Sequence, residues 1–229
     1  MRRAPRPYAA LIPALDCAAT IASVVEGCLE HFDRVLVVDD GSRDGTAEEA
    51  RTAGAEVFSH GENLGKGMAL RSGLHVLSDR GFTHAVSLDG DGQHLAEEIP
   101  KLVADSIEHP GTLVLGVRSA DREVAALNRF GNDFANTWVR IATGRAFDDT
   151  QCGLRVYPIA ETLALSPTGR RFDFETEILI RAVRAGIEIR SVAVRVYDPP
   201  IELRHSHYDK LWDTVRIIEM VVGLMLRLR

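Results

Sequence analysis

His84-Ala85-Val86-Ser87-Leu88-Asp89-Gly90-Asp91-Gly92-Gln93-His94 is the stretch on which the reading of this chain turns. An apolar run, His84 to Leu88, delivers two carboxylates spaced i and i+2, each followed by glycine. Such a run reads as a strand, and the Asp-Gly-Asp-Gly that follows reads as the turn at its carboxyl end. Two carboxylates aimed from one turn suit a hard cation. Mg²⁺ and Mn²⁺ prefer oxygen ligands of this kind, with phosphate oxygens completing the shell. An acidic surface turn has the same letters, because Asp-Gly is a common turn dipeptide. The flanking segments decide between the two.

Before this stretch, strand and helix patterns alternate. Tyr8 to Ile12 reads as a buried strand stopped by Pro13, and Thr20 caps a helix running to Glu30. Strands follow at Arg34 to Val38 and Glu56 to Ser59, with helices at Ala47 to Ala53 and Gly67 to Asp79. Thr83 to Leu88 is the fourth strand, Glu97 to Glu108 a helix with Pro100 in its first turn, and Thr112 to Val117 the fifth strand. Continuous apolar strands separated by helices predict an α/β protein with a mostly parallel sheet buried on both faces. Ligands of such sheets bind outside the carboxyl ends of the strands. The polar clusters Pro13 to Asp16, Asp39 to Ser42, Gly61 to Lys66 and Asp89 to His94 all fall there.

After Arg118 the rhythm changes. A long helix is expected from Val124 to Ala142, a loop from Phe147 to Gly153 and a short strand from Leu154 to Tyr157. A helix from Phe174 to Ala185 and a strand from Ile187 to Val196 lead to a polar loop, Asp198 to Asp209, and a terminal helix. No repeat, low-complexity segment or linker divides the chain. We therefore expect one domain over 1–209, with a nucleotide half (8–118) and an acceptor half (119–209), followed by a C-terminal amphipathic helix over 210–229.

The composition excludes several classes. A net charge of −6 lacks the basic footprint of a nucleic-acid binder. Cys17, Cys28 and Cys152 show no Cys-x-x-Cys spacing, so neither a disulfide framework nor a zinc knuckle is expected. The basic start lacks an apolar h-region, and no run reaches the roughly 18 to 20 apolar residues of a membrane span. A cytoplasmic protein is expected, peripheral to a membrane at most. Gly61-Glu62-Asn63-Leu64-Gly65-Lys66-Gly67 is one residue short of a P-loop and lacks its Ser/Thr. Even so, a glycine-rich helix start carrying a lysine favours an anion. Asp39 and Asp40 end a strand where they can accept from a nucleobase or ribose. The other reading of Asp40 and Asp44 is a tight turn with a helix cap.

Four motifs in this order resemble family 2 glycosyltransferases: Asp39-Asp40-Gly41-Ser42-x-Asp44-Gly45-Thr46, Asn63-x-Gly65-Lys66-Gly67-x-Ala69, Asp89-Gly90-Asp91-Gly92-Gln93-His94 and Asp149-Thr150-Gln151-Cys152-Gly153-Leu154-Arg155. The resemblance covers about residues 8 to 200. It is nearest to the branch acting on polyprenyl phosphates in cell-envelope and dolichol chemistry. It implies a Rossmann-like GT-A fold, a UDP- or GDP-hexose donor, a divalent Mg²⁺ or Mn²⁺, and inversion at the anomeric carbon. By that resemblance Asp89, Asp91 and Gln93 hold the metal, and Pro13, Asp16, Asp39, Asp40, Lys66 and Asp89 meet the nucleotide sugar. Arg118 and Arg129 contact an acceptor phosphate, Asp173 lies on the acceptor side, and Arg204 sits in a mobile loop near the diphosphate. Asp91, Asp173 and Arg204 are thus the expected catalytic residues. Leu15-Asp16-Cys17 departs from the family's usual Asn-Glu after the first strand, which leaves UDP versus GDP open.

A phosphate acceptor is already anionic and needs no base. A glycan or glycolipid hydroxyl would need one, for which Asp173 is the candidate. Arg118 and Arg129 read alternatively as surface ion pairs, and Asp173 as a helix cap. A noncatalytic nucleotide-sugar-binding module and a sugar-phosphate nucleotidyltransferase remain as other classes. His205 and His207 flank Ser206 in a loop better suited to gating a substrate than to binding a metal. The terminal helix aligns Leu211, Val215, Ile218, Val222 and Met225. That stripe reads either as packing on its own domain or a partner subunit, or as an interfacial helix with Trp212 at headgroup level that meets a lipid-borne acceptor.

Overall fold

The structure, a computed structural model, describes residues 4, 7–118, 135–197 and 218–224. Among the described residues, seven strands form one sheet: β1 (Tyr8–Ala14), β2 (Val35–Asp39), β3 (Glu56–Ser59), β4 (His84–Ser87), β5 (Leu113–Arg118), β6 (Arg155–Pro158) and β7 (Ile189–Val194), in the order β3-β2-β1-β4-β6-β5-β7. Only β6 runs against its neighbours. The helices are α1 (Ala18–Leu29), α2 (Thr46–Thr52), α3 (Lys66–Asp79), α4 (Ile99–Glu108, entered through a 3₁₀ turn), α5 (135–143 in its described part), α6 (Ile159–Ala164), α7 (Asp173–Arg184) and α8 (218–224 in its described part).

Burial on two faces explains the uninterrupted apolar strands. Along β1, Tyr8, Ala10, Ile12 and Ala14 pack into one core with α1, α2 and α4. Ala9 and Leu11 point the other way, into a second core with α3, α6 and α7. Both sets are shielded from water, so the alternation of a half-exposed strand disappears from the sequence. The chain leaves β1 toward β2 and β3, then crosses back through α3 to β4 on the other side of β1. That reversal places the crevice beyond β1 and β4, where sheets of this type bind ligands.

Pro13 does not stop the first strand, which continues to Ala14. The ladder shows why. Ala10 donates to Arg34, and the carbonyl of Ala14 accepts from Asp40, so even-numbered residues face β2. Odd-numbered residues face β4, whose pairing ends at Leu11, so the missing N–H of Pro13 falls where no partner strand runs. Helix α6 was not anticipated, because six residues are too few to display a helical period. Of the long helix expected over 124–142, residues 135–142 are helical and the rest lie outside the described residues. The polar loop 198–209 and the 209/210 boundary also lie outside them. In α8, Val221 is fully buried, and Met220 and Leu224 pack on the second core. Val222, expected on the apolar stripe, is 40% exposed.

Candidate active site

Beyond the ends of β1, β2 and β3 opens a cleft of about 460 Å³, lined by Leu15, Asp16, Asp39, Gly41, Ser42, Arg43 and the loop His60 to Asn63. That volume suits a nucleoside-sized ligand. Its floor is knitted by side-chain caps. Ser42 N–H donates to Asp39 Oδ1 at 3.1 Å, and Arg43 N–H donates to Asp16 Oδ1 at 2.8 Å. Asp16 itself sits at φ 47°, a left-handed conformation that Asp tolerates better than most residues. Asp44 accepts from Ala18 N–H and from Thr46, so it caps α1 and α2 rather than facing the cleft.

Asp40 is turned away from the cleft. Its Oδ1 pairs with His60 Nδ1 at 2.7 Å and accepts from Leu64 N–H, while Oδ2 accepts from Gly65 N–H at 2.7 Å. Asp40 thus fixes the loop that carries Lys66. Gly65 ends that loop at φ 101°, and a Cβ there would lie 2.4 Å from the carbonyl of Arg170. Only glycine allows both the conformation and the approach.

The held loop delivers Lys66 to the centre of the site. Its ammonium lies 2.7 Å from Asp89 Oδ1 and 2.9 Å from Glu175 Oε2, with the Phe172 ring 5.6 Å away. His94 Nε2 stands 3.4 Å from the other oxygen of Asp89. Burial opposes the charge on Asp89, yet Lys66 and His94 outweigh it and hold the carboxyl well below the usual range. The pKa of Lys66 is raised: burial works against its charge, and the two carboxylates overcome it. Asp91 is pushed the opposite way, up, first by burial and then by the charge of Asp89. Its Oδ1 accepts from Gln93 N–H at 3.0 Å. Gln93 also accepts Tyr197 N–H through its carbonyl, which ties this turn to the end of β7.

The fourth motif closes the other side. Gly153 lies directly on Asp89, and a Cβ there would fall 2.3 Å from Oδ2. Ser87 Oγ donates to the Gly153 carbonyl at 2.6 Å. Arg155, fully buried, donates to the carbonyls of Thr150, Cys152 and Glu175 and so pins this loop to α7. Arg118, expected at an acceptor phosphate, grips Asp149 through Nε at 2.6 Å and Nη2 at 3.0 Å. Asp173, expected on the acceptor side, accepts from Arg171 N–H within its own turn. The acid that reaches the site from this segment is Glu175, two residues on. The helical period of α7 would have placed Glu175 on the buried face with Phe174 and Ile178. Arg129 and Arg204 lie outside the described residues. Burial pushes each of the three cysteines up to about 12, so none is a ready thiolate.

The model of the family described as glycosyl transferase family 2 matches residues 9–160. The chain belongs to this family. It is 34% identical over 196 residues to glycosyltransferase AglJ of Haloferax volcanii, covering 83% of this chain and 63% of that protein. Over 206 residues it is 28% identical to the undecaprenyl-phosphate 4-deoxy-4-formamido-L-arabinose transferase of Pseudomonas fluorescens, covering 86% of this chain and 56% of that one. The chain therefore spans less than two thirds of the length of either relative. Glucosyl-3-phosphoglycerate synthase from Mycobacterium tuberculosis superposes with a TM-score of 0.75 at 22% identity, over 96% of this chain and 80% of that one. The same enzyme with Mg²⁺ and uridine diphosphate gives 0.73 at 21% identity, over 96% and 79%. The chain has the GT-A fold.

The donor set of the transferase fits a divalent cation of a particular kind. Among the described residues no three His, Cys, Asp or Glu side chains gather around one point. Asp89 and Asp91 lie two residues apart on one turn, and Asp91 is raised first by burial and then by the charge of Asp89. Hard oxygen ligands in this number suit Mg²⁺ or Mn²⁺ shared with a diphosphate rather than enclosed by protein.

Two outcomes follow from this geometry. In Gly153→Ala the added methyl displaces the Asp89 carboxylate. Sugar transfer should fall on the order of 100-fold, the usual cost of about 1 Å of misplacement, while the urea midpoint moves little. Transfer at the wild-type rate would show that the contact is dispensable. For Asp149, burial opposes ionisation, but Arg118 and the N–H of Gln151 outweigh it and lower the pKa from 3.8. The pair's contribution is therefore complete above the ordinary value and is lost as pH falls through the lower folded one. Wild type should exceed Asp149→Asn by about 1–3 kcal/mol at neutral pH, with the difference closing in urea denaturation as pH falls below the ordinary value of 3.8. A difference independent of pH would refute the assignment.

Proposed function

We propose that this transferase moves a hexose, with inversion, from a UDP- or GDP-sugar to a polyprenyl phosphate, with Mg²⁺ or Mn²⁺ held by Asp89 and Asp91 beside Gln93. The observation that carries the reading is continuity. The loop forming one wall of the nucleoside-sized cleft runs through Gly65 into Lys66, whose ammonium touches Asp89. A nucleoside in the cleft would thus direct its diphosphate toward the carboxylate pair. Asp39 and Asp16 border the base and ribose. A dication bound there supplies charge neutralisation for the departing nucleoside diphosphate. Lys66 adds a second positive group on the same side, and Arg204 is assigned to the leaving group as well.

The lipid-phosphate acceptor draws support from the named activity of the Pseudomonas fluorescens relative, and the uridine donor from the ligand of the M. tuberculosis enzyme. The chain's own chemistry agrees. A phosphate nucleophile needs no base, and the carboxylate of Asp173 is taken up by its own turn. Arg118 spends Nε and Nη2 on Asp149, so we assign the acceptor phosphate to its Nη1 and to Arg129, guanidinium being well shaped for phosphate. No helix among the described residues is long and apolar enough to cross a membrane. The outward face of α8, with Val222 exposed, is proposed as the contact with the cytoplasmic side of a lipid surface.

Asp91→Asn should lower release of nucleoside diphosphate from donor on the order of 100-fold or more. Full transfer by that variant in metal-free buffer would sink the metal reading. The full chain should float with anionic liposomes, and Val222→Asp should reduce flotation without shifting the melting temperature. Equal flotation of the two would remove α8 from membrane contact.

A further inference from the structure

Lys66 is placed where a metal-binding carboxylate pair would be expected to leave room. Its ammonium is in hydrogen-bond contact with Asp89 Oδ1, one of the two carboxylates assigned to the cation. It also holds a second, buried carboxylate, Glu175, whose residue is 4% exposed. Glu175 has no place in the metal set and no assigned role in transfer. Among the described residues its Oε1 lacks a hydrogen-bond partner, with Arg155 Nε at 3.7 Å. Arg155 is itself satisfied by three main-chain carbonyls, so it does not depend on Glu175. The Glu175 carboxylate therefore has acceptor capacity to spare, next to an ammonium that is shared.

We propose that Lys66 is a built-in placeholder for the divalent cation: it neutralises Asp89 in the empty enzyme and withdraws onto Glu175 when the cation arrives with the nucleotide. The inference rests on the reading of Asp89 and Asp91 as the metal site. An ammonium at 2.7 Å from Asp89 and a dication on the same oxygen repel each other, so the two occupants compete. Without Glu175 a displaced Lys66 would be buried with no counter-charge, which costs strongly. With Glu175 already 2.9 Å away, the lysine exchanges partners by a small torsional movement and stays in the site as a positive group for the diphosphate. Glu175 is thus a positioning residue, acting through Lys66.

The test is direct binding of Mn²⁺ to the whole chain, read from loss of the free-ion electron paramagnetic resonance signal, with and without UDP. Removing Lys66 alone would leave Glu175 buried and unpaired, so the informative protein is Lys66→Met/Glu175→Gln. It keeps the net charge of −6, and circular dichroism verifies its fold. With no competitor at Asp89, this variant should bind Mn²⁺ alone roughly tenfold more tightly than wild type. Its gain from added UDP should be smaller, because the nucleotide has lost a lysine. The single variant Glu175→Gln, in which Lys66 has no retreat, should bind Mn²⁺ alone more weakly than wild type. Mn²⁺ affinity in the double variant equal to or below that of wild type overturns the placeholder. Absence of Mn²⁺ binding to wild type even with UDP overturns the metal reading itself, a separate and distinguishable failure.

Discussion

One ammonium group, that of Lys66, holds together carboxylates that lie far apart in sequence. Asp89 arrives at the end of β4, and Glu175 arrives on α7 after the fourth motif has been threaded past. Much of the site exists to put that ammonium where it is. Asp40 at the end of β2 spends both oxygens on the loop before it, and Gly65 turns where no other residue can. The carbonyl of Arg170 comes down on the start of α3, accepting from Met68 N–H. An unpaired buried carboxylate costs about 3–5 kcal/mol, so the placement of Lys66 matters to the stability of the domain as much as to its chemistry.

The same logic separates the two neighbouring pairs of acids. Asp39 and Asp40 are adjacent in sequence but face opposite ways, because successive side chains at a strand end point to opposite faces. Asp39 borders the cleft, and Asp40 holds the loop behind it. Asp89 and Asp91 are spaced i and i+2 on one turn. Their ionisation differs because Lys66 and His94 outweigh burial at Asp89, whereas burial, and then the charge of Asp89, prevails at Asp91. Positive charge enters such a site most favourably at the acid that lacks it.

The sheet was legible in the sequence because its central strands β1, β2 and β4 are buried on both faces and end in polar clusters. Those clusters located the cleft and the carboxylate pair without any knowledge of pairing. Three things were not legible. Pro13 reads as a terminator unless the ladder shows that its face has no partner strand there. Arg118 reads as a phosphate contact or a surface ion pair until Asp149, 31 residues away, is seen in its fork. Asp173 and Glu175 stand two apart in an acidic segment, and only the docking of α7 on the second core decides which of them turns inward. In each case the deciding partner is distant in the chain, and local pattern carries no record of it.

On the function proposed above, a protein that takes its metal together with its donor has to remain folded when it holds neither. Two bare carboxylates pressed together beside a buried third would destabilise the empty protein, since like charges at short range in a poorly screened site repel strongly. Supplying the missing charge from a side chain removes that difficulty at once and lowers the affinity for metal alone. The lowered affinity has a consequence for order. A cation arriving with a nucleoside diphosphate brings phosphate oxygens to complete its shell and gives the displaced ammonium a new anion to face. A cation arriving alone offers neither. As the proposed placeholder, the lysine would couple occupation of the metal site to occupation of the cleft, through a contact between two side chains and without movement of the sheet.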